Sequence, residues 1–130
     1  MKEIIKTSNA PSAIGTYSQG IKANGFLFTS GQIGIDPASG KLVDGGIRSQ
    51  TDRTLSNINA ILNESGIQKE NIIKLSVFLI NLGDFEHIND SFSKFFNNSN
   101  FPARTTIEVS RLPLNALVEI DCIALLNKWF

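Results

Sequence analysis

The sequence predicts an α+β domain in which two helices cover one face of a mixed β-sheet. Two segments, one beginning near Ile47 and one near Phe85, have apolar residues at helical spacing. The segments before, between and after them are short and rich in residues typical of β-strands. The order of elements is β, β, α, β, α, β, β, with an antiparallel hairpin expected at each end. A chain of 130 residues suffices for one hydrophobic core, so we expect a single domain over residues 1–130.

The first third of the chain indicates two strands separated by a loop. Ile4 and Ile5 form a short apolar run, and residues 9–15 are rich in residues that interrupt regular structure. Residues 26–33 form a second β-type run, which a turn over residues 36–40 follows. The glycine inside that run, at position 31, indicates either a β-bulge or a backbone N–H that a ligand approaches closely.

The middle of the chain has a helical period. Steps of three or four residues define one apolar face of a first helix: Ile47, Thr51, Leu55, Ile58 and Leu62. Gly66 is expected to end that helix, and residues 72–80 then form a buried type of strand. Asp84 is placed to cap a second helix, whose apolar face carries Phe85, Ile88, Phe92, Phe95 and Phe96.

The last two predicted strands lie on either side of Pro113 and are expected to pair as a hairpin. Alternation with period two places Arg104 and Thr106 on one face of the first of them. In such a hairpin Glu119 lies level with Ile107, so it shares the face of Arg104 only if a bulge or an asymmetric turn shifts the register.

Arg104 and Glu119 are the residues of this hairpin that suit chemistry. A guanidinium binds a carboxylate through a rigid fork of donors, and a nearby glutamate can orient and activate water. The alternative is that Arg104 and Glu119 form a structural ion pair, and spacing alone leaves both interpretations open.

Two other polar residues stand out. Asn89 lies on the apolar face of the second helix, where a polar group needs a partner, either a structural hydrogen bond to a loop or a ligand. Tyr17 is the one tyrosine and lies in a glycine-flanked loop. It either packs there or extends its hydroxyl into a site across an interface.

The second face of the predicted sheet has no element left to cover it. Its strands carry enough apolar residues to favour association, so we expect a homo-oligomer.

Composition argues against several classes of function. Twelve basic residues balance twelve acidic ones, which disfavours nucleic-acid and anionic-membrane partners. Cys122 is the one cysteine, so the chain fits a reducing cytoplasm; it falls on an apolar strand face and is expected to be inert. His87 is the one histidine, and no phosphate-binding glycine motif occurs. We therefore expect no metal site, and chemistry that uses carboxylate, hydroxyl and backbone groups.

Five segments resemble the reactive intermediate deaminase A (RidA) family, also called the YjgF family. They are Ala13-Ile14-Gly15-Thr16-Tyr17-Ser18-Gln19, Thr29-Ser30-Gly31-Gln32, Pro102-Ala103-Arg104, Val109-Ser110-Arg111-Leu112-Pro113 and Val118-Glu119-Ile120. The resemblance implies a chorismate-mutase-like fold and a homotrimer whose sheets line a central barrel, with three sites in the clefts between subunits. Thr16 replaces the proline usual in this family, and Thr106 stands where many members have cysteine.

The resemblance also implies an activity. It is the hydrolysis of 2-imino acids, chiefly 2-iminobutanoate and 2-iminopropanoate, to 2-oxo acids and ammonia without a metal or cofactor, which protects pyridoxal-phosphate enzymes. By resemblance, Arg104 holds the substrate carboxylate with help from the Gly31 N–H, and Glu119 positions the water. The expected lining of the pocket is Tyr17 (from a neighbouring subunit), Ser30, Asn89 and Thr106.

Two alternatives remain open at this stage. One is a non-enzymatic trimer of the same fold that binds small carboxylates or regulates a partner; the retained Arg104 and Glu119 argue for the enzyme instead. The other is an RNA-directed role, such as ribonuclease or translation inhibition. The zero net charge and the lack of a basic stripe argue against that role.

Overall fold

The structure, a computed structural model, describes residues 1–127. Six strands form the main sheet: β1 (Glu3–Ile5), β2 (Gly20–Ala23), β3 (Phe26–Thr29), β6 (Ile72–Leu79), β7 (Ala103–Glu108) and β8 (Val118–Leu125). Their order across the sheet is β1-β2-β3-β8-β6-β7. A separate two-stranded hairpin consists of β4 (Ile35–Asp36) and β5 (Lys41–Leu42).

Two helices, α1 (Gly46–Glu64) and α2 (Phe85–Phe95), pack against one face of this sheet, which confirms the predicted α+β class. Apolar residues of α1 such as Ile58 and Leu62 are fully buried against Leu75 and Val77 of β6. The helix ends as predicted: Ser65 is its C-terminal cap, and Gly66 follows with a φ of 78°. The opposite face of the sheet has no covering element among the described residues.

The start of α2 differs from the prediction. Asp84 occupies the N-cap position, but its side chain makes no capping hydrogen bond. Asn81 instead accepts a hydrogen bond from the Gly83 N–H in the 3₁₀ turn that precedes the helix. Phe85, predicted to face the core, is 40% exposed because the first turn of α2 lies near the sheet edge.

The sequence analysis missed three short strands, β2, β4 and β5. The hairpin of β2 and β3 turns through Asn24 and Gly25, whose φ angles are 52° and 85°. A two-residue turn with both φ angles positive is the geometry that fits the right-handed twist of a hairpin, and Asn-Gly is its common sequence. That dipeptide was the signal for β2.

The strand predicted over residues 26–33 ends at Thr29, and a β-bulge follows it. Pairing between β3 and β8 includes Phe28 opposite Ile123, and a bridge then joins Gln32 to Ile120. Three residues therefore lie between Phe28 and Gln32, whereas two lie between Ile120 and Ile123 on β8. The extra residue makes a bulge at Gly31, as one of the two interpretations of that glycine expected.

The predicted C-terminal hairpin is wrong. Strand β7 pairs in parallel with β6, and β8 pairs with the other side of β6 in the antiparallel sense, so β6 separates β7 from β8. The physical reason is the helical connection: α2 carries the chain from the end of β6 back to the start of β7, and such a crossover produces parallel strands. Strand β8 then fills the gap between β3 and β6, where it has a partner on each side.

The strand order also determines which face of the sheet each side chain occupies. Residues opposite each other on paired strands share a sheet face, so Glu119, Phe78 and Ile107 lie together on the open face. Arg104 lies opposite Leu75, which is fully buried beneath the helices. Arg104 and Glu119 of one chain are therefore on opposite faces, which corrects the expectation of a shared face and excludes their pairing as a structural salt bridge.

Candidate active site

A cleft of about 430 Å³ opens beside β8 and the bulge after β3. Four of the predicted site residues line it, namely Tyr17, Ser30, Gly31 and Glu119. Asp121 and several apolar side chains complete the lining. The cleft thus combines a carboxylate, a phenol and an exposed stretch of backbone within an apolar frame, which is the usual composition of a small-molecule site.

Gly31 and Glu119 approach each other very closely in this cleft. A Cβ atom at position 31 would lie 2.6 Å from Oε2 of Glu119, inside contact distance. Because the bulge removes Gly31 from the ladder, its N–H has no hydrogen-bond partner within residues 1–127. The bulge thus provides a backbone donor beside the carboxylate, and the approach of a ligand to this N–H stays a prediction.

The loop that carries Tyr17 is fixed by the buried side chain of Gln19. Its oxygen accepts a hydrogen bond from the Thr7 N–H at 2.7 Å, and its amide donates to the carbonyl oxygens of Thr7 and Pro11 at 3.0 and 2.7 Å. Ser30, which was expected only to line the pocket, donates its hydroxyl to the Ser18 carbonyl and so ties the loop to the bulge. Tyr17 itself is half-exposed at the rim.

The cleft changes the acidity of its two carboxyl groups. Burial raises the pKa of Glu119 above its usual value, and the nearby charge of Asp121 raises it further. Burial also raises the pKa of Asp121, while a hydrogen bond from Ser76 and the charge of Lys74 act in the opposite direction. A carboxylate with a raised pKa is a stronger base once it is ionised, and this suits Glu119 to accept a proton from water.

A second group of residues surrounds Arg104 on the helix-covered side. Its guanidinium donates to Oδ1 of Asn89 at 2.8 Å, and it lies 5.1 Å and 5.2 Å from the ring centroids of Phe85 and Phe92. Phe85, Asn89 and Phe92 are spaced four and three residues apart along α2, so their side chains lie on one face of the helix. That face places two aromatic rings and an amide against the guanidinium. Burial lowers the pKa of Arg104, but a guanidinium stays charged.

Asn89 therefore bonds to a side chain on a strand, and not to a loop as the first interpretation expected. A smaller cavity of about 170 Å³ lies beside Arg104, between Asn89 and Phe101. Thr106, two residues beyond Arg104, has a buried hydroxyl without a partner in the described part of the chain. An unpaired buried hydroxyl is uncommon, and here it lies on the same side of the sheet as the guanidinium.

The predicted site residues thus form two groups that one chain does not bring together. Tyr17, Ser30, Gly31 and Glu119 line the first cleft, whereas Asn89, Arg104 and Thr106 lie on the other face. Strand β6 separates the two groups by two strand spacings, about 10 Å in the plane of the sheet.

The sequence analysis missed several residues that shape these groups. Asp121 shares the face of Glu119 by simple alternation, and this spacing was sufficient to include it. Phe85 and Phe92 flank Asn89 at helical spacing, but their contact with Arg104 depends on where β7 docks. The anchoring role of Gln19 had no sequence signal, because its partners are backbone groups.

Three further observations concern metal-ligating side chains, the helices and the cysteine. Over residues 1–127 no three His, Cys, Asp or Glu side chains cluster so that they could hold a metal ion. None of the helices there has the length and apolar character needed to cross a membrane. Cys122 is buried as predicted, and burial raises the pKa of its thiol to about 12, so the thiol is protonated at neutral pH.

Comparison with known proteins gives consistent matches. The family model described as Endoribonuclease L-PSP matches residues 7–126. A RutC family protein of Pyrococcus horikoshii is 49% identical over 95% of this chain and 98% of its own length. A 2-iminobutanoate/2-iminopropanoate deaminase of Bos taurus is 42% identical over 95% of this chain and 90% of its own. The crystal structure of E. coli TdcF with bound serine superimposes with a TM-score of 0.91 at 38% identity, covering 95% of this chain and 98% of that one.

Proposed function

The chain belongs to the Endoribonuclease L-PSP family, the YjgF/RidA proteins, and on this premise we propose that it hydrolyses 2-imino acids to 2-oxo acids and ammonia. The proposed substrates are 2-iminobutanoate and 2-iminopropanoate, the compounds named for the bovine relative. The proposal rests on the two groups of residues described above. One contains Arg104, which can bind a carboxylate, and the other contains Glu119 beside the unpaired N–H of Gly31 in the cleft.

Arg104, together with Asn89 and the two rings (the Arg104 group), is suited to binding the carboxylate of the substrate. Asn89 accepts from one terminal nitrogen of the guanidinium, and the rings of Phe85 and Phe92 lie 5.1 and 5.2 Å from its carbon. A guanidinium has five N–H donors, so the remaining ones are free to bind a carboxylate with two parallel hydrogen bonds. A lysine at this position would lack both the fork and the stacking surface.

Glu119 is suited to activating the attacking water. A protonated imine is already electrophilic at carbon, so the attacking oxygen needs only orientation and a group that accepts its proton. Water adds to the C=N carbon while Glu119 takes one proton, which gives a 2-amino-2-hydroxy acid. The carboxylic acid of Glu119 then returns the proton to nitrogen and the C–N bond breaks. C=O forms as the hydroxyl proton passes to the departing ammonia, which leaves as ammonium.

The complete site is proposed to lie between subunits of a homotrimer. Strand β7 is at the edge of the sheet, so Arg104 lies where a second copy can approach it. The open face is apolar enough to favour such contacts: Phe28 is 43% exposed and Ile107 is 44% exposed. In this arrangement Arg104 of one copy and Glu119, Gly31 and Tyr17 of the next enclose one substrate.

The proposal includes a cytoplasmic location, which a chain with a single cysteine fits. It includes neither a metal nor a cofactor, because water addition to an imine uses only the groups named above.

One alternative function has support of its own. The E. coli relative TdcF holds serine in its crystal structure, so a protein of this fold binds a small amino acid. A non-enzymatic trimer that binds such carboxylates would use the Arg104 group without needing Glu119 as a base. An RNA-directed activity is disfavoured by the zero net charge of the chain, because nucleic-acid binding relies on a surplus of basic residues.

The test uses imine generated in place. Threonine dehydratase produces 2-iminobutanoate, semicarbazide traps it, and the wild-type protein is expected to lower the trapped fraction. Arg104→Ala should abolish turnover because the substrate loses its orientation, whereas Glu119→Ala should mainly lower kcat. An unchanged trapped fraction at micromolar wild-type protein favours the binding function, and full activity in either folded, assembled variant contradicts the assigned roles.

A further inference from the structure

A second carboxylate lies beside Glu119 on the open face. Asp121 is two residues further along β8, so both side chains project from the same side of the strand, about 7 Å apart at Cα. Both line the 430 Å³ cleft, and both are half-buried. The catalytic scheme above gives Glu119 a role and leaves Asp121 without one.

Polar groups of the neighbouring strands surround Asp121. Ser76 of β6 lies directly opposite it, and Thr105 of β7 lies opposite Ser76 in turn. Lys74, on the same strand as Ser76, donates from Nζ to Oγ1 of Thr105 at 2.6 Å. These residues form a polar row across an otherwise apolar face, and the row ends in the cleft at Asp121 and Glu119.

We propose that Asp121 is a positioning residue of the proposed deaminase: its negative charge, held by Ser76 and Lys74, sets the pH at which Glu119 becomes the ionised base. This inference rests on the proposed function for its catalytic meaning. It assigns a role to the whole polar row, whose members contact neither the Arg104 group nor the proposed carboxylate end of the substrate.

Within residues 1–127 the charge that acts on Glu119 is that of Asp121, on its own strand. Lys74 of β6 acts on Asp121. Ser30 and Gly31 line the cleft from the bulge and carry no charge, and the loop contributes the phenol of Tyr17. Glu108 of β7 turns away and accepts a hydrogen bond from the Leu82 N–H.

The direction of each effect follows from charge. The Asp121 carboxylate makes it harder to remove the proton of Glu119, so Asp121 raises the pKa of Glu119. Lys74 has the opposite sign and keeps Asp121 ionised. Removing the negative charge of Asp121 should therefore lower the pKa of Glu119 and move the acidic limb of the kcat profile to lower pH.

The first experiment measures kcat against pH for the wild type and two variants. Asp121→Asn, nearly isosteric, is expected to shift the acidic limb down by roughly 0.5–1 pH unit. Asp121→Glu keeps the charge and should keep the wild-type limb. A merely structural role for Asp121 would lower activity in Asp121→Asn without moving the limb, and that result overturns the proposal.

The second experiment does not depend on turnover. The carboxyl carbon of Glu119 is titrated by ¹³C NMR in the wild-type protein and in Asp121→Asn, with Glu119→Gln to assign the resonance. The midpoint is expected to fall in Asp121→Asn, and an unchanged midpoint refutes the coupling. If this midpoint falls while the wild-type protein hydrolyses no imine, the coupling stands and the proposed function fails.

Discussion

At the scale of single residues, the contact that most constrains the cleft is the one between Gly31 and the Glu119 carboxylate. A methyl group at position 31 would lie 2.6 Å from Oε2, so Gly31→Ala should displace the carboxylate. We expect kcat to fall by roughly 10–100-fold because a reacting group moves by about 1 Å, with a native circular dichroism spectrum.

The matched control for Gly31→Ala is a double-mutant cycle. If the substitution acts through Glu119, Gly31→Ala combined with Glu119→Ala should be no slower than Glu119→Ala alone. Additive losses in kcat would show instead that Gly31 acts through another group, such as its own N–H.

The two rings around Arg104 lead to a second residue-scale prediction. Phe85→Leu removes the more exposed ring, which is 40% exposed and lies 5.1 Å from the guanidinium carbon. A cation–π contact of about 0.5–1 kcal/mol corresponds to a two- to fivefold rise in KM, with kcat nearly unchanged. Leu82→Ala, at a similarly exposed position nearby, is the control, and an equal rise in both variants would contradict a specific contact.

At the scale of elements, α1 holds the segment after the bulge through one buried side chain. Asn57 is fully buried, and its amide donates to the carbonyl oxygens of Ile33 and Ile35 at 3.1 and 2.9 Å. Both of those residues line the cleft. The helix therefore supports the strand segment that carries Gly31, although it lies on the other side of the sheet from the cleft.

Asn57→Ala should lower the free energy of unfolding by roughly 2–4 kcal/mol, because it leaves two buried carbonyl groups unpaired. Urea denaturation measures this loss. Asn59→Ala, the same substitution two residues along α1, should change stability by no more than about 0.5 kcal/mol. Comparable losses in the two variants would mean that the hydrogen bonds of Asn57 contribute nothing specific.

The elements also show where pattern reasoning succeeded. The periods of α1 and α2 depend on local spacing, so both helices, the strand β6 and the terminating glycine were predictable. The pairing of β7 with β6 was not, because residues on either side of a turn favour a hairpin in any local analysis. The crossover through α2 makes β7 parallel to β6 and leaves the other side of β6 free to pair with β8.

At the scale of the whole molecule, the division of the site between two faces leads to a complementation experiment. Arg104→Ala and Glu119→Ala are each expected to be inactive or very slow. If every site takes Arg104 from one copy and Glu119 from the next, a mixed trimer of the two variants has both residues in about one third of its sites.

The measurement co-expresses the two variants with different tags, isolates mixed oligomers, and compares imine turnover with that of the wild type. Separate variants mixed without subunit exchange are the control. A stable monomer by light scattering, or mixed oligomers no more active than their parents, would contradict a site shared between copies.

The sequence by itself determined the two helices, the strand β6 and the chemical groups available to the site. Helical and β-type periods, one histidine, one buried cysteine and a balanced charge are local or compositional properties, and so is the series of motifs that resembles the family. The tertiary structure alone decided strand order, and strand order decided that Arg104 and Glu119 of one chain lie on opposite faces. The physical reason is that period two assigns residues to faces within a strand, whereas only hydrogen-bonded pairing relates the faces of different strands.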